Sequence, residues 1–94
     1  MEYRVLGRTG LRVSAVALGC EGFMHRTAGE VKDSFDFAAS NGINFVDIYS
    51  SNPELRSNIG AALEGRREDF IIQGHLCTVW EDGQYLRTRD PEKT

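Results

Sequence analysis

The chain has 94 residues, of which 40% are hydrophobic and 27% are charged, and its formal net charge is −3. This length predicts a single domain at most, and a chain of this size buries roughly 60–65% of its unfolded surface. The negative balance argues against a surface for nucleic acid or anionic membrane. No apolar run approaches the roughly 20 residues that cross a bilayer, and no apolar signal segment follows Met1.

The two cysteines, Cys20 and Cys77, lie far apart and form no CxxC pair. Such spacing favours a reduced, cytoplasmic setting. Both cysteines are expected to be small apolar packing residues. No metal site is predicted.

The first element in chain order is a hairpin over residues 3–15, whose turn Gly7–Gly10 contains two glycines. A short apolar run, Ala15–Leu18, then predicts a buried strand of a parallel sheet. It ends in Gly19–Gly22, where the glycines favour close approach of the backbone to a ligand. As a bare pattern this loop is a weak cofactor signal.

Two helices are marked by their capping residues. Thr27 and Glu30 have the spacing of a capping box, and Asn52 followed by Pro53 is typical of a helix start. Each helix carries one apolar stripe: Val31, Phe35, Ala38 and Ala39 in the first, and Leu55, Ile59, Ala62 and Leu63 in the second. With strands at Ile43–Tyr49 and Phe70–His75, residues 16–75 predict the order β-α-β-α-β and a parallel sheet.

The segment 76–94 is less regular and is interpreted as a long loop with a turn at Glu81–Gly83. Asp90 and Pro91 then have the pattern of a helix start. We expect a truncated third helix here, so that residues 1–94 form a single partial domain.

The strand Ile43–Tyr49 carries an acidic residue on an otherwise apolar face, which is costly unless the carboxylate is paired or used. Alternation along the strand places Asp47 and Tyr49 on one side, and in the next strand it places Gln73 and His75 together. We predict one polar cluster of these four at the carboxyl ends of parallel strands, where active sites lie. An Asp–His pair could serve as a proton donor or relay.

Structural alternatives remain open for several of these residues. His75 is as well explained by core packing as by catalysis. His25 is interpreted as a solvated loop residue, and Arg66 and Arg67 as a solvated helix end.

The motifs together resemble the start of the aldo/keto reductases. The run Leu6–Ser14 followed by Leu18–Cys20 is similar to the family's opening hairpin and first strand. Gly42–Asp47 and Asn58–Leu63 resemble its second-strand and second-helix signatures. The resemblance covers residues 3–75 and implies an α/β fold: the hairpin plus about three βα units of a (β/α)8 TIM-type barrel, with a parallel sheet and an incomplete barrel.

The resemblance also implies a chemistry, which is reduction of a small carbonyl substrate with NADPH by a tetrad of Asp, Tyr, Lys and His. Asp47 matches the family's Asp, whereas Asn52 stands at the Tyr position and His75 at the Lys position; the family's His would lie beyond Thr94. Tyr49 or His75 is therefore the candidate for the donor role. Gly19, Cys20 and Glu21 are the candidate cofactor-facing residues, although most contacts to the adenosine phosphates come from later in the barrel.

Two alternatives come from other classes of protein. A non-catalytic short α/β protein would expose open sheet edges, which favour a homodimer. A hydrolase using Asp47 and His75 is less well supported, because no motif places a nucleophilic Ser or Cys beside them.

Overall fold

The computed structural model describes residues 1–93, and its central part is a βαβαβ arrangement flanked by two hairpins. The strands are β1 (Tyr3–Val5), β2 (Arg12–Ser14), β3 (Leu18–Gly19), β4 (Phe45–Ile48), β5 (Ile71–Gly74), β6 (Thr78–Glu81) and β7 (Gln84–Arg87). The α-helices are α1 (Ala28–Ser40) and α2 (Pro53–Ala62), and single 3-10 turns lie at Glu21–Phe23, Arg67–Asp69 and Pro91–Lys93.

The central sheet is parallel, with strand order β3-β4-β5. Gly19 pairs with Asp47, which pairs with Gln73 on the other side. The predicted α/β class and parallel sheet are confirmed. The three strands have the arrangement expected for part of a TIM-type barrel.

Both helices begin where the capping residues predict. The Thr27 hydroxyl accepts from the Glu30 amide at 3.1 Å, and the Glu30 carboxylate accepts from the Thr27 amide at 3.2 Å. The Asn52 side chain accepts from the Leu55 amide at 3.0 Å, with Pro53 in the first turn. These bonds satisfy backbone donors that have no partner inside the helix.

The hydrophobic core lies between the helices and one face of the sheet. Phe35 is fully buried, and its ring centroid lies 6.0 Å from that of Phe23 and 5.5 Å from that of Phe70. The predicted stripes supply most of the rest, except that Ala39 of α1 is exposed. The remaining core residues are Cys20, Val31, Val46, Leu55, Ile59, Ala62 and Leu63.

The first hairpin lies at the end of the sheet where β4 begins. The Tyr3 hydroxyl donates to the Gly42 carbonyl at 2.7 Å, and the Asn44 side chain bonds Ser14 and Arg12. The hairpin is therefore fixed opposite the carboxyl ends of the strands. It fixes the start of β4, away from the strand end that carries Asp47.

The strand expected at Ala15–Leu18 is shorter than predicted. Only Leu18–Gly19 pairs with β4, and Ala15, Val16 and Ala17 are exposed. The prediction of a buried strand was wrong because β3 is an edge strand in the described part of the chain. Nothing there covers the outer side of this run.

The prediction of a long loop after residue 76 was also wrong. Residues 78–87 form an antiparallel hairpin in which Trp80 pairs with Tyr85 and Glu81 with Gln84. Asp82 (φ 51°) and Gly83 (φ 75°) form the two-residue turn, which is the geometry that joins twisted strands tightly. A 3-10 turn at Pro91–Lys93 follows, where the helix start was predicted, and the next residue lies outside the described range.

Candidate active site

The polar residues of the sheet lie on the face that the helices leave uncovered. In β4 the side chains of Val46 and Ile48 contact the core, whereas Asp47 points to the opposite face. The interpretation of Ile43–Tyr49 as having its buried face on the Asp47 side was therefore wrong. The carboxylate lies on an open face, where its side chain keeps 40% exposure and needs less compensation.

Asp47 and His75 form the central contact of this face. The His75 Nε2 lies 2.6 Å from the Asp47 Oδ1, and the imidazole keeps 30% exposure. In the tautomer that carries its proton on Nε2, the imidazole donates to the carboxylate, and Nδ1 is left to accept a hydrogen bond. The predicted meeting of the two residues is confirmed, and the pure core-packing alternative for His75 does not hold for a half-exposed, carboxylate-bound ring.

Tyr49, the residue that follows β4, is the third member of the cluster with Asp47 and His75. Its ring packs edge-on against the His75 ring, with centroids 4.9 Å apart. Its hydroxyl lies 2.6 Å from the Tyr85 hydroxyl, on strand β7. Tyr49 is therefore held between the imidazole and the second hairpin.

The electrostatics of Tyr49 follow from these neighbours. The hydrogen bond to Tyr85 is the largest cause that raises the pKa of Tyr49, followed by burial and the charge of Tyr85. Arg87 opposes this shift. The phenols in turn raise the pKa of Arg87, and Tyr85 is the largest cause.

Gln73 does not join the cluster. It pairs with Asp47 in register, but its side chain is exposed, and within residues 1–93 no side-chain hydrogen bond links it to the other three. The predicted four-residue cluster thus contains three members in contact.

The candidate cofactor loop divides into exposed and buried parts. Gly19 and Glu21 are exposed at the carboxyl end of β3, whereas the Cys20 side chain is 1% exposed and lies in the core. Burial, aided by the charge of Asp47, raises the pKa of the Cys20 thiol to about 12. Only the backbone of Cys20 faces the site, where its amide donates to the Asp47 carbonyl at 3.1 Å.

Three other predictions have clear outcomes. Cys20 packs in the core as expected, but Cys77 is exposed, so the packing interpretation of Cys77 was wrong. His25 is an exposed loop residue, as predicted. Arg66 is not a solvated helix end, because it forms a 2.7 Å ion pair with Asp36 and so joins the two helices.

The second hairpin adds residues that the sequence interpretation missed. Trp80, Tyr85 and Arg87 face Glu21, Met24, Tyr49 and Ser50 across a cavity of about 400 Å³. The signal that could have found them was the Asp82-Gly83 pair between two runs of strand-forming residues. The predicted site lacks this outer wall because the sequence analysis predicts a loop for the segment.

Comparisons with known proteins point to one family, although no family model matches the chain. The chain is 30% identical to YqkF of Bacillus subtilis, an uncharacterised oxidoreductase, over 99% of this chain and 31% of the relative. Among solved structures it is similar to PA4992 of Pseudomonas aeruginosa, described as an aldo-keto reductase, with 31% identity and a TM-score of 0.79 over 92% of this chain and 35% of that one. A second P. aeruginosa structure described in the same way gives the same identity and TM-score and is covered to 34%.

The chain therefore spans about a third of the relatives that it matches. No helix within residues 1–93 has the length and apolar character needed to cross a membrane. The hairpin, the parallel sheet and the sequence similarity agree with the resemblance inferred from the motifs. The chain is therefore similar, over nearly its whole length, to about a third of an aldo-keto reductase.

Proposed function

We propose that this chain supplies the acid–base part of an aldo/keto reductase site, in which Tyr49 protonates a carbonyl oxygen and the Asp47–His75 pair supports it. The observation that supports this most directly is the contiguous series from Asp47 through His75 to Tyr49 at the carboxyl ends of β4 and β5. In the family an Asp, a Lys and a Tyr share this work. Here His75 takes the place of the Lys between the carboxylate and a phenol.

The residue at the family's Tyr position has another role in this chain. Asn52 caps α2 through its side-chain oxygen. The position of the family's proton-donating Tyr is therefore occupied by a helix cap. The phenol that lies beside His75 belongs to Tyr49, three residues earlier. This arrangement favours Tyr49 over a direct donor role for the imidazole.

The cofactor that we propose is NADPH, whose flat nicotinamide ring would lie on the open face of β3. A Cβ built on Gly19 would meet no atom within 4 Å, so the backbone beside Asp47 is open to a ligand. Gly19 and Glu21 would contact the nicotinamide, and Cys20 would contribute only its backbone. When bound, the cofactor supplies the hydride; this chain's residues hold and deliver the proton to the carbonyl oxygen.

A chimera tests this proposal. Residues 1–93 replace the matching third of PA4992, and NADPH oxidation is followed at 340 nm with small aldehydes. We expect turnover by the chimera, and a loss of about 10²-fold or more in kcat for Tyr49→Phe and His75→Ala, the usual size of a general acid–base contribution.

Matched controls separate chemistry from folding. Tyr3→Phe removes a phenol from the opposite end of the sheet, and His25→Ala removes an exposed imidazole. Both should retain turnover, with circular dichroism confirming that every variant folds. A folded chimera without turnover, or one that Tyr49→Phe and His75→Ala leave unchanged, would refute the proposal.

A second candidate function, self-association, is favoured by the surface of β5. A groove of about 850 Å³ runs between β5 and α2, with apolar walls that include Ile59, Leu63 and Ile72. Leu76 at its end is 77% exposed, and in residues 1–93 β5 pairs only with β4. Exposed apolar surface next to an open strand edge is typical of an interface, and we propose a second copy as its occupant.

Light scattering across a wide concentration range tests this candidate. We expect a dimer that dissociates on dilution, and a monomer at all concentrations when Leu76 is replaced by Lys. Phe37→Lys is the matched control, because Phe37 is 72% exposed but lies on α1, away from the groove. A wild-type chain that stays monomeric throughout would exclude the interface.

A further inference from the structure

Within residues 1–93, one short hydrogen bond joins the second hairpin to the candidate site. The hydroxyls of Tyr49 and Tyr85 lie 2.6 Å apart, and their ring centroids are 6.1 Å apart. This length is at the short end for a hydrogen bond between hydroxyls. The contact joins residues 36 positions apart in sequence, so only the fold of the hairpin brings them together.

Several charged and titratable groups surround the two phenols. Arg87 lies beside both, on the same strand as Tyr85. The His75 ring, which follows β5, packs against Tyr49 and is hydrogen-bonded to Asp47. Glu21 stands on the opposite wall of the cavity.

We propose that Tyr85 is a positioning residue for Tyr49, and that Arg87 stabilises the phenolate left after proton transfer. This inference rests on the proposed function, because it takes Tyr49 as the proton donor. The Tyr49 O–H bond breaks as the O–H bond of the product alcohol forms. In the resting pair the Tyr49 hydroxyl donates to the Tyr85 oxygen, which raises the pKa of Tyr49. For this step the Tyr49 O–H turns to the carbonyl oxygen of the substrate, and the Tyr85 hydroxyl donates to the Tyr49 oxygen in its place.

The arrangement explains how an exposed hairpin contributes to a site on another sheet. Without Tyr85 the Tyr49 hydroxyl would rotate freely about its C–O bond. The guanidinium of Arg87 offers positive charge next to the oxygen that becomes negative, which is favourable near a partly exposed site. After the transfer, the phenolate regains a proton from Tyr85 or from water.

The first experiment is spectroscopic and does not require an active enzyme. Phenol ionisation is followed by ultraviolet absorbance in the full chain, whose three tyrosines are Tyr3, Tyr49 and Tyr85. In Tyr3→Phe only the pair titrates, and we expect two separate steps because the hydroxyls interact. In Tyr3→Phe with Tyr85→Phe, Tyr49 alone should titrate in one step, at lower pH than the upper step of the pair.

A second arm links the contact to chemistry. In the chimera, Tyr85→Phe should move the alkaline limb of the kcat/KM profile to lower pH and reduce kcat more than it changes KM. Arg87→Gln should reduce kcat while Arg87→Lys restores part of it, since the charge rather than the shape is needed. Gln84→Ala, an exposed residue of the same hairpin outside the cavity, controls for a merely structural effect.

The outcomes are distinguishable. Two phenols that titrate as independent groups in Tyr3→Phe, with circular dichroism showing a folded chain, would overturn the positioning role whatever the chimera does. So would an active chimera whose pH profile is the same with and without Tyr85. A folded but inactive chimera would overturn the proposed function and the catalytic role together, while the two-step titration would still establish the hydrogen-bonded pair.

Discussion

The two faces of the parallel sheet differ in what they bury and in what they expose. On the covered face, Val46 is fully buried beneath α1 and α2. On the open face, the neighbouring Asp47 keeps 40% of its side chain exposed and binds a half-exposed histidine. In β4, therefore, Val46 contributes to the hydrophobic core and the next residue, Asp47, contributes to the candidate site. Residues that stabilise the fold and residues that could act in catalysis alternate along the same strand.

The largest expected difference between the two faces concerns the cysteines. Cys20 lies on the covered side, where burial raises its thiol pKa from 9.0 to about 12, so its reactive thiolate should be about a thousandfold scarcer than that of an ordinary thiol. Cys77 is exposed. A thiol reagent at about pH 8 should therefore modify one thiol per folded chain and two in denaturant.

Labelling of both thiols at equal rates in the folded chain would show that Cys20 is not protected by burial. Cys77→Ser is the control, because it should remove the fast reaction and leave only the slow one. The reverse variant, Cys20→Ser, should leave the fast reaction unchanged.

The core on the covered face predicts the next largest effect. Phe35→Ala removes a fully buried ring that packs on Phe23 and Phe70, and it should lower the free energy of unfolding by about 3–5 kcal/mol. Phe37→Ala, on the same helix but 72% exposed, should change it by less than about 0.5 kcal/mol. Urea unfolding of both variants measures the difference. Equal decreases in the free energy of unfolding would show that Phe35 is not part of the core.

Neighbouring substitutions in β4 sharpen the comparison of the two faces. Val46→Ala should cost about 2 kcal/mol, because it deletes buried methyl groups and leaves a cavity. Asp47→Asn should cost no more than about 1 kcal/mol, because the hydrogen bond to His75 that it weakens is substantially exposed. A larger cost for Asp47→Asn than for Val46→Ala would mean that the open face is covered in solution.

The smallest expected effect lies on the outer surface of the helices. Hydrogen bonds and charge from Lys32, and then from Arg66, lower the pKa of Asp36 below 3.8 despite the opposing effect of burial. A depressed carboxyl pKa contributes stability above the unfolded value of 3.8, and this contribution is lost as pH falls through the folded value. Asp36→Asn should therefore lower the urea midpoint slightly at about pH 7 and leave it unchanged at about pH 2.

Asp33→Asn is the matched control for this measurement. Asp33 is exposed on the same helix and forms no ion pair within residues 1–93. An equal effect of the two substitutions would show that helix charge, and not the bridges from Asp36 to Lys32 and Arg66, accounts for the result.

Much of the covered side could be predicted from local sequence. The capping residues Thr27 and Asn52 mark the helix starts, since a side-chain oxygen three residues before an amide needs no distant partner. The apolar stripe of α2 predicted its buried face because helical spacing fixes which side chains point together. Alternation in β4 and β5 likewise predicted that Asp47 and His75 would meet.

The open side was predicted less well. The extent of β3 and the exposure of Ala15–Ala17 depend on which strands lie beside it, and no local pattern reports that. The exposure of Cys77 and the ion pair of Arg66 also depend on distant residues. The errors at Cys77 and Arg66 concern contact partners, whereas the loop expected after residue 76 was an error of conformation, because residues 78–87 form a hairpin.

The sequence by itself determined the helices, the parallel order of the strands and the face that carries Asp47 and His75, because these follow from periodicity and capping over a few residues. The tertiary structure decided that this face is open and that the second hairpin folds back to bring Tyr85 and Arg87 to Tyr49. The contact between Tyr49 and Tyr85 spans 36 positions, so its formation depends on chain closure and packing, which local residue patterns do not encode.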